Sequence, residues 1–444
     1  MKRCASCWPK RALKRSNRTM RILLTANASY VPPRGGATRS NLVWLENMAA
    51  SGHACRVVAA ALADGAGRRE QIADENIDWQ PLGRRGGVEA LERGGIRVYA
   101  VAERSQQTGA LRQQIHEFQP DWVLVSSEDL GHGLLREAHH SAPGRIVYLA
   151  HTPQFFPFGP ASWNPDAHAL ELVRRSAGVV AIGHYTAAYI RRHLGREAAV
   201  IHPPIYGSGP FPRLASFSTG LVTMVNPCAI KGVSIFRALA DGFPGFGFGY
   251  LPGWGTTTAD RAQLAAHANI SALPNCRDIT QFLGCTRVLL MPSLWFEGFG
   301  LAVVEAMLHG IPVIASDAGG LVEAKMGTPF VAPVRPIERY QPLFDEYALP
   351  KPVIEPVDLG PWTNALHDLL TDRALYEEVS AASEDAALRF AGSLDAGHMQ
   401  AYLESLAPGQ AVYEPVSTAS LSPEKRALLL QRIRSKKAVP AEPR

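Results

Sequence analysis

The sequence predicts an α/β fold with two domains, and three observations lead to this. The chain has 444 residues, enough for two domains of ordinary size. Short apolar runs typical of buried parallel strands alternate with segments of helical periodicity. The clearest alternation lies at 288–323, where strand, glycine turn, helix, glycine and second strand follow one another. We therefore expect an architecture built from βαβ units.

Composition narrows the class of protein. Hydrophobic residues make up 46% of the chain and the mean hydropathy is −0.05, as in a soluble globular protein. No apolar run approaches the length of a membrane span. Residues 1–19 hold seven Lys/Arg and no acid, and residues 421–444 hold seven Lys/Arg and two Glu. Because the net charge is only +5, the body is acidic, so we expect no nucleic-acid partner.

The cysteines and the N-terminus indicate a cytoplasmic protein, with peripheral association at the membrane left open. Six cysteines are scattered without a disulfide pattern, which suits a reducing compartment; they are Cys4, Cys7, Cys55, Cys228, Cys276 and Cys285. The first two form a lone CxxC, which is weak support for a metal site. Residues 1–19 lack the apolar segment of a secretory signal. We expect a disordered basic extension, or translation from Met20.

The first domain is predicted at 20–205. Its strands and helices alternate after a βαβ opening, while 62–93 has no assignment. The predicted strands are 22–26, 55–60, 96–101, 120–126, 145–150, 178–182 and 199–205, and the predicted helices are 38–50, 111–118, 134–139, 167–175 and 186–193. A Gly/Pro/Ser-rich linker is predicted at 206–220.

Two features of this domain lie where strands end. Gly35 and Gly36 separate the first strand from the first helix, so their amides face the carboxyl edge of the sheet; a plain loop is the alternative. His151 follows the strand at 145–150. The loop after it carries Phe155, Phe156 and Phe158. These rings are candidates for an acceptor wall or for packing within the domain.

The second domain is predicted at 221–385, followed by crossover helices at 386–410 and a basic amphipathic tail at 418–444. The predicted strands are 221–225, 246–250, 270–273, 288–291 and 313–315, and the predicted helices are 279–282, 301–309, 358–370, 374–390 and 399–406. A proline-rich stretch at 331–349 has no regular assignment.

The stretch around Gly300 predicts an anion site. The amides of Gly300 and Leu301 begin a helix, where the helix dipole favours a phosphate. Glu297 precedes this helix and Glu305 lies about one turn inside it. A carboxylate accepts hydrogen bonds from sugar hydroxyls, so the set fits a nucleotide-sugar. The alternative is an ordinary βαβ unit with two solvated glutamates.

The sequence EGFGLAVVEAM at 297–307, followed by GIPVIASDAGG at 310–320, resembles the donor signature of family 4 retaining glycosyltransferases. This resemblance implies the GT-B fold, in which two Rossmann-like domains face a cleft and a C-terminal helix crosses back to the first lobe. It implies transfer of a sugar from a nucleotide-diphosphate donor to an acceptor hydroxyl, with retention of configuration.

The resemblance also implies roles for the donor-binding residues. Lys231 in a Lys-Gly turn would hold the diphosphate, with a solvated loop lysine as the alternative. Asn226 stands where the family usually carries an arginine, so Lys231 would have less help. Asn275 lies in the loop expected beside the nucleotide base.

The remaining implied roles concern the sugars. Glu297 would hold a donor-sugar hydroxyl and Glu305 the nucleotide ribose. His151 would contact the donor sugar near the reacting centre, and Gly35 and Gly36 would lie near the diphosphate and acceptor. The sequence has no convincing DxD motif, so we expect a metal-independent reaction, no metal ligands and no cofactor besides the donor.

The tail at 421–437 predicts a separate amphipathic helix. Ser422 is a candidate cap, and Leu428, Leu429 and Ile433 form an apolar stripe. The segment LSPEKRALL resembles linkers near carrier domains of nonribosomal peptide synthetases. This implies docking to a synthetase or carrier protein, with a solvated tail as the alternative.

The acceptor prediction follows from this tail and from the aromatic loop. We expect a peptide or lipopeptide natural product as acceptor. The alternatives are polysaccharide or lipid-linked glycan assembly, a nucleotide-sugar epimerase of the same fold, and a partner-binding protein without activity.

Overall fold

The structure is a computed structural model that describes residues 19–33, 35–61, 79–275 and 278–408. Its first lobe is built around a nine-stranded sheet. The strands are β1 (Arg21–Ala26), β2 (Ala54–Ala60), β3 (Gln80–Arg85), β4 (Val88–Arg93), β5 (Ile96–Val101), β6 (Trp122–Ser126), β7 (Ile146–Ala150), β8 (Gly178–Ala181) and β9 (Ala199–Val200). The helices are α1 (Gly36–Ala50), α2 (Gln107–Phe118), α3 (Gly133–Ser141), α4 (Ala167–Arg175) and α5 (His184–Leu194).

The strand order of this sheet is β3-β4-β5-β2-β1-β6-β7-β8-β9. Strand β1 pairs in parallel with both β2 and β6, with Ile22 opposite Cys55 on one side and Trp122 on the other. Among the nine described strands of this sheet, β4 alone runs against the others, because it pairs antiparallel with both β3 and β5. The chain changes direction across the sheet between β1 and β6, which is where open α/β sheets form ligand crevices.

The second lobe has a six-stranded parallel sheet with order β12-β11-β10-β13-β14-β15. The strands are β10 (Leu221–Val225), β11 (Phe248–Leu251), β12 (Ile270–Ala272), β13 (Thr286–Met291), β14 (Val313–Ser316) and β15 (Val331–Ala332). The helices are α6 (Val233–Gly242), α7 (Thr258–Ala265), α8 (Ile279–Leu283), α9 (Leu301–Leu308), α10 (Leu321–Ala324), α11 (Gly360–Thr371) and α12 (Arg373–Ser393). Its reversal point lies between β10 and β13.

The last described helix, α13 (His398–Ser405), returns to the first lobe. Its Met399 and Leu403 are buried in the same apolar cluster as Trp44 and Leu45 of α1. Helix α12 instead packs against α9 in the second lobe. Two Rossmann-like lobes and a returning C-terminal helix confirm the predicted fold. The boundary predicted between 385 and 386 falls inside α12.

The structure adds two hairpins that the sequence assignment lacked. Strands β3 and β4 lie within the unassigned 62–93 and are joined at Gly86 and Gly87, both with positive φ. The proline-rich 331–349 contributes β16 (Tyr340–Phe344), which pairs with β17 (Pro350–Pro352). The strand predicted at 199–205 has only two residues.

Several predictions lie outside the described residues. They are the N-terminal extension through residue 18, the Cys4–Cys7 pair, Cys276 and the tail at 418–444. Within the described ranges, we find no helix both long and apolar enough to cross a membrane.

Lys325 follows α10 and is fully buried in the second lobe. Its ammonium donates to the carbonyl oxygen of Val313 at 2.5 Å, and burial lowers the pKa of Lys325 to about 7. An unfolded lysine titrates near its ordinary value of 10.5. Between these two pH values the unfolded chain binds more protons, so stability rises with pH.

We expect Lys325→Met to remove this pH dependence. From pH 7 to 9 the wild type should gain about 1–3 kcal/mol of unfolding free energy relative to the variant. Denaturant titrations at several pH values measure the difference. Parallel pH curves for the two proteins would contradict a lysine that loses its proton on folding.

Candidate active site between the lobes

The carboxyl edges of the two sheets face each other across the molecule, and the helices that begin there converge. Helix α1 begins at Gly36 and α9 at Leu301, and neither has a side-chain cap. A Cβ added to Gly36 would lie 3.1 Å from Cδ1 of Leu301, so the two helix starts are close. Two positive helix ends directed at one place form an environment for an anion.

One glycine, Gly298, allows the lobes to approach this closely, and a second, Gly300, shapes the turn beside it. A Cβ at Gly298 would lie 2.0 Å from the carbonyl oxygen of His151, so the two backbones are in contact. The hydroxyl of Thr186 donates to the Gly298 carbonyl at 3.1 Å. Gly300 has φ of 127° and is packed against Leu321, which excludes a side chain there. The turn at Glu297 is thereby held against the strand end at His151.

The structure brings Lys231 and Glu297 into direct contact. Lys231 ends a short turn after β10, and its Nζ lies 2.5 Å from Oε1 of Glu297. The same oxygen accepts a hydrogen bond from Ser293, and Nζ lies 4.3 Å from the ring centre of Trp295. The two charged side chains are only 14% and 12% exposed. A largely desolvated ion pair therefore stands at the end of β10.

Glu305 is paired with a residue that the sequence assignment missed. Nη2 of Arg39, in the first turn of α1, donates to Oε1 of Glu305 at 2.8 Å across the lobes. The carboxylate is 10% exposed and the guanidinium 41%. Tyr206 lies near both Glu305 and Arg39. Its pKa is raised mainly by burial and to a smaller extent by the charge of Glu305. A cation in the first turn of a helix is opposed by the helix dipole, so Arg39 could have been singled out from the sequence as a functional candidate.

His151 is the end of a buried hydrogen-bond chain. Its Nε2 lies 2.9 Å from Oδ1 of Asn41, whose amide nitrogen donates to Tyr30 at 2.8 Å and Ser126 at 2.9 Å. Ser126 in turn donates to Glu128. Because Oδ1 of Asn41 is an acceptor, we infer that Nε2 carries the proton. Nδ1 is then an acceptor, and it has no partner among the described residues.

The surroundings keep this imidazole neutral. His151 is 3% exposed, and burial lowers the pKa of its ring. A neutral ring with an acceptor nitrogen binds a hydroxyl but brings no positive charge. One ring nitrogen of His151, the buried Nδ1, is therefore left to accept a hydrogen bond.

We expect the pH profile of kcat/KM to show no His151 ionisation between about pH 6.5 and 8. In Asn41→Asp a carboxylate beside Nε2 should raise the pKa of the ring, so activity should fall about tenfold as the pH is lowered through it. The matched control is Asn47→Asp on the same helix. A profile for Asn41→Asp identical to the wild type would contradict this environment.

Asn226 has a structural role that the sequence did not indicate. Its Oδ1 accepts hydrogen bonds from the amide of Gly255 at 2.9 Å and the hydroxyl of Thr256 at 3.2 Å. It thus holds the loop after β11. Its Nδ2 is buried and has no partner in the described parts of the chain. The predicted donation to a diphosphate could come only from that nitrogen.

Asn275 is not brought together with the other predicted residues. It is exposed after the edge strand β12, directly before the undescribed 276–277. Strand β11 separates β12 from β10, which carries Asn226 at its end. Its role beside a nucleotide base stays a prediction.

The aromatic loop after His151 is mainly a packing element. Phe156 is fully buried and Phe158 is 2% exposed, and both belong to the core of the first lobe. Of the two alternatives open for Phe156 and Phe158, an acceptor wall or packing within the domain, their burial supports packing. Phe155 packs edge-on against Trp163, with ring centres 5.3 Å apart.

Glu323 joins the lobes on another side of the junction. One oxygen accepts from the amides of His184 at 2.7 Å and Tyr185 at 3.3 Å, and the other lies 2.8 Å from Nε2 of His202. Burial opposes ionisation of this carboxyl, but these hydrogen bonds outweigh it and hold the pKa of Glu323 below its ordinary value. The sequence assignment gave this residue no role.

Across the described ranges, no group of three or more His, Cys, Asp or Glu side chains is arranged to hold a metal. The predicted metal-independent reaction is not tested by this observation.

Sequence families match both lobes. Residues 34–206 match the family described as Glycosyltransferase Family 4, and residues 250–339 match Glycosyl transferases group 1. One curated relative, an "Uncharacterized 41.2 kDa protein in cps region" of Klebsiella pneumoniae, is 61% identical over 36 residues. That match spans 8% of this chain and only 10% of the relative.

Several solved structures share the fold. The Anabaena protein Alr3699/HepE, solved in complex with UDP and glucose, is 17% identical, with a TM-score of 0.58 over 87% of this chain and 100% of that one. Sucrose-phosphate synthase from Thermosynechococcus elongatus is 13% identical, with a TM-score of 0.59 over 94% of this chain and 98% of that one. At these identities the likeness concerns the fold.

Proposed function

Because the chain is a glycosyltransferase of GT-B fold that resembles family 4, we propose that it moves a sugar from a uridine-diphosphate donor to a hydroxyl of a carbohydrate acceptor. The observation that carries the proposal is the convergence of two uncapped helix starts, the Lys231–Glu297 pair and Glu305 in one crevice. The choice of uridine is supported by HepE, whose structures are described with UDP and UDP-glucose.

The amides at the starts of α1 and α9, together with Lys231, would stabilise charge on the departing diphosphate. These groups are already in place, so little reorganisation is needed as the sugar leaves. Glu297 would accept a hydrogen bond from a donor-sugar hydroxyl and, through its ion pair, orient Lys231. Glu305 would accept from the ribose hydroxyls. The unpartnered Nδ1 of His151 would accept from another sugar hydroxyl.

We propose retention of configuration by attack of the acceptor on the face that the diphosphate leaves. A double displacement needs a carboxylate nucleophile on the opposite face. Oε1 of Glu297 is engaged by Lys231 and Ser293, and the role that we propose for this carboxylate is donor binding rather than nucleophilic attack. Proton NMR of the anomeric signal of the product tests retention, and unchanged turnover in EDTA tests the metal-independent reaction.

Two acceptor classes remain as proposals. A carbohydrate is favoured by the indole of Trp295 next to Lys231, against which Trp163 packs, and by the "cps region" in the name of the short curated match. A peptide or lipopeptide depends on the tail at 421–437, which lies outside the described residues. Comparing transfer to glycosides with transfer to carrier-bound peptides discriminates between them.

The donor site is tested by thermal shift with UDP, GDP, ADP and dTDP on the wild type and on Glu305→Gln. We expect UDP to stabilise the wild type and the variant to lose most of this effect, since binding stabilises by mass action. The matched control is Glu355→Gln, an exposed glutamate of the same lobe. Equal shifts in wild type and Glu305→Gln would contradict the assigned donor site.

A further inference from the structure

One large aromatic side chain lies at the mouth of the crevice and is not used by the donor groups. Trp254 is 40% exposed, although it belongs to the loop directly after β11. Its ring centre lies 5.9 Å from that of Trp295. Trp295 in turn carries Nζ of Lys231 over its ring at 4.3 Å. The exposed indole of Trp254 is therefore separated from the proposed reacting centre at Lys231 only by the ring of Trp295.

The first lobe also reaches this indole. A Cβ added to Gly35 would lie 4.0 Å from Cδ1 of Trp254. Trp163 of the first lobe lies against Trp295, with ring centres 5.9 Å apart. Indoles from both lobes thus surround the same entrance, with Trp254 presenting the most exposed face.

The loop that carries Trp254 is held rigidly. Asn226 accepts from the amide of Gly255 and the hydroxyl of Thr256, and the same hydroxyl accepts from the amide of Gly253 at 3.0 Å. These bonds fix the backbone on both sides of the indole. An exposed aromatic ring that is held in place has already lost the freedom that binding would otherwise remove.

The exposed face of Trp254 determines what kind of ligand would fit. A ligand that stacks on this indole needs an apolar face to cover the ring and polar groups around the edge of that face. A pyranose ring has both, because its C–H bonds form an apolar face and its hydroxyls surround it.

We propose that Trp254 is the platform on which a pyranose ring of the carbohydrate acceptor stacks. The inference rests on the proposed function, since it takes Lys231 and Glu297 as the reacting centre. The donor diphosphate and ribose have polar partners elsewhere in the crevice, whereas Trp254 offers an apolar face at its entrance. Sites of this kind combine aromatic surface with a few placed polar groups.

Saturation-transfer NMR on the full chain tests the platform directly. The probes are the methyl glycopyranosides of glucose, galactose, mannose and N-acetylglucosamine, and octyl glucoside. We expect transfer to the ring C–H protons of at least one methyl glycoside in the wild type and in Trp254→Phe. It should fall at least fivefold in Trp254→Ala and stay unchanged in Leu82→Ala, where an exposed apolar residue of β3 is removed.

Other outcomes overturn the inference. Absence of Trp254-dependent transfer to any ring, or transfer only to the alkyl chain of octyl glucoside, would exclude a carbohydrate platform. Loss of UDP stabilisation in Trp254→Ala would assign the indole to the donor. If UDP binds but no glycoside contacts Trp254, the platform is excluded and the proposed function stands. If a glycoside contacts Trp254 but no nucleotide binds, the proposed function is overturned and the platform stands.

Discussion

Lys231→Met should lower kcat by roughly 10²–10³-fold. This is the loss found when one preorganised hydrogen-bond donor to a developing charge is removed, and it corresponds to about 3–4 kcal/mol in the activation free energy. The ammonium is the only charge placed next to Glu297 by the described contacts, and the pair is largely desolvated. Without it, the leaving diphosphate keeps only the helix dipoles, the amides and Arg39 of the opposite lobe. Steady-state kinetics with the donor identified by thermal shift gives the measurement.

The controls separate chemistry from folding. Lys351→Met removes an exposed lysine of the same lobe and should leave kcat unchanged. Lys231→Met alone leaves Glu297 without its cation in a buried place, which also costs stability. The double variant Lys231→Met with Glu297→Gln removes that charge. It should regain thermal stability and stay inactive; recovered activity would show that Lys231 acts only through folding.

The second-lobe part of the site could largely be predicted from the sequence, because its residues lie close together in one segment. Glu297, Gly300, Leu301 and Glu305 lie within one turn-helix unit, so their spacing determines their neighbourhood. Lys231 could be placed near them only by resemblance, because its distance to Glu297 depends on the neighbouring positions of β10 and β13. Contacts within one helix or turn can be predicted from the spacing of residues. Contacts between separate strands or helices can be predicted only when the sheet topology is known.

The partners that come from distant parts of the chain were missed for this reason. Asn41 and Tyr30 are separated by 110 and 121 positions from His151, and Glu323 by 121 from His202. The hairpin of β3 and β4 is different, since Gly86 and Gly87 between two polar runs are a recognised two-residue hairpin signal. Polarity on both strands concealed it, because β3 is exposed along its whole length.

Arg39→Met should weaken the binding of UDP about tenfold or more, since a charge-assisted hydrogen bond contributes about 1.5–3 kcal/mol. The guanidinium stands in the first turn of α1 against the local dipole, and it spans the lobes to Glu305. Asn226 brings no charge to the donor site, because its side-chain amide is neutral; its oxygen holds the Gly255 loop. Arg39 is then a second cation beside Lys231, supplied from the opposite lobe.

A competing account makes the opposite prediction for this variant. If Arg39 only occupies Glu305 and must leave before ribose binds, its removal should tighten UDP binding. Isothermal titration of UDP into the wild type, Arg39→Met and Arg112→Met decides between the two. Arg112 forms a similar half-exposed pair with Glu137 inside the first lobe, so it controls for the loss of one arginine. In one account the variant frees the carboxylate of Glu305 for the ribose, and UDP binds more tightly. In the other the diphosphate loses a cation, and UDP binds more weakly. The direction of the change in UDP affinity therefore identifies which part of the nucleotide Arg39 serves.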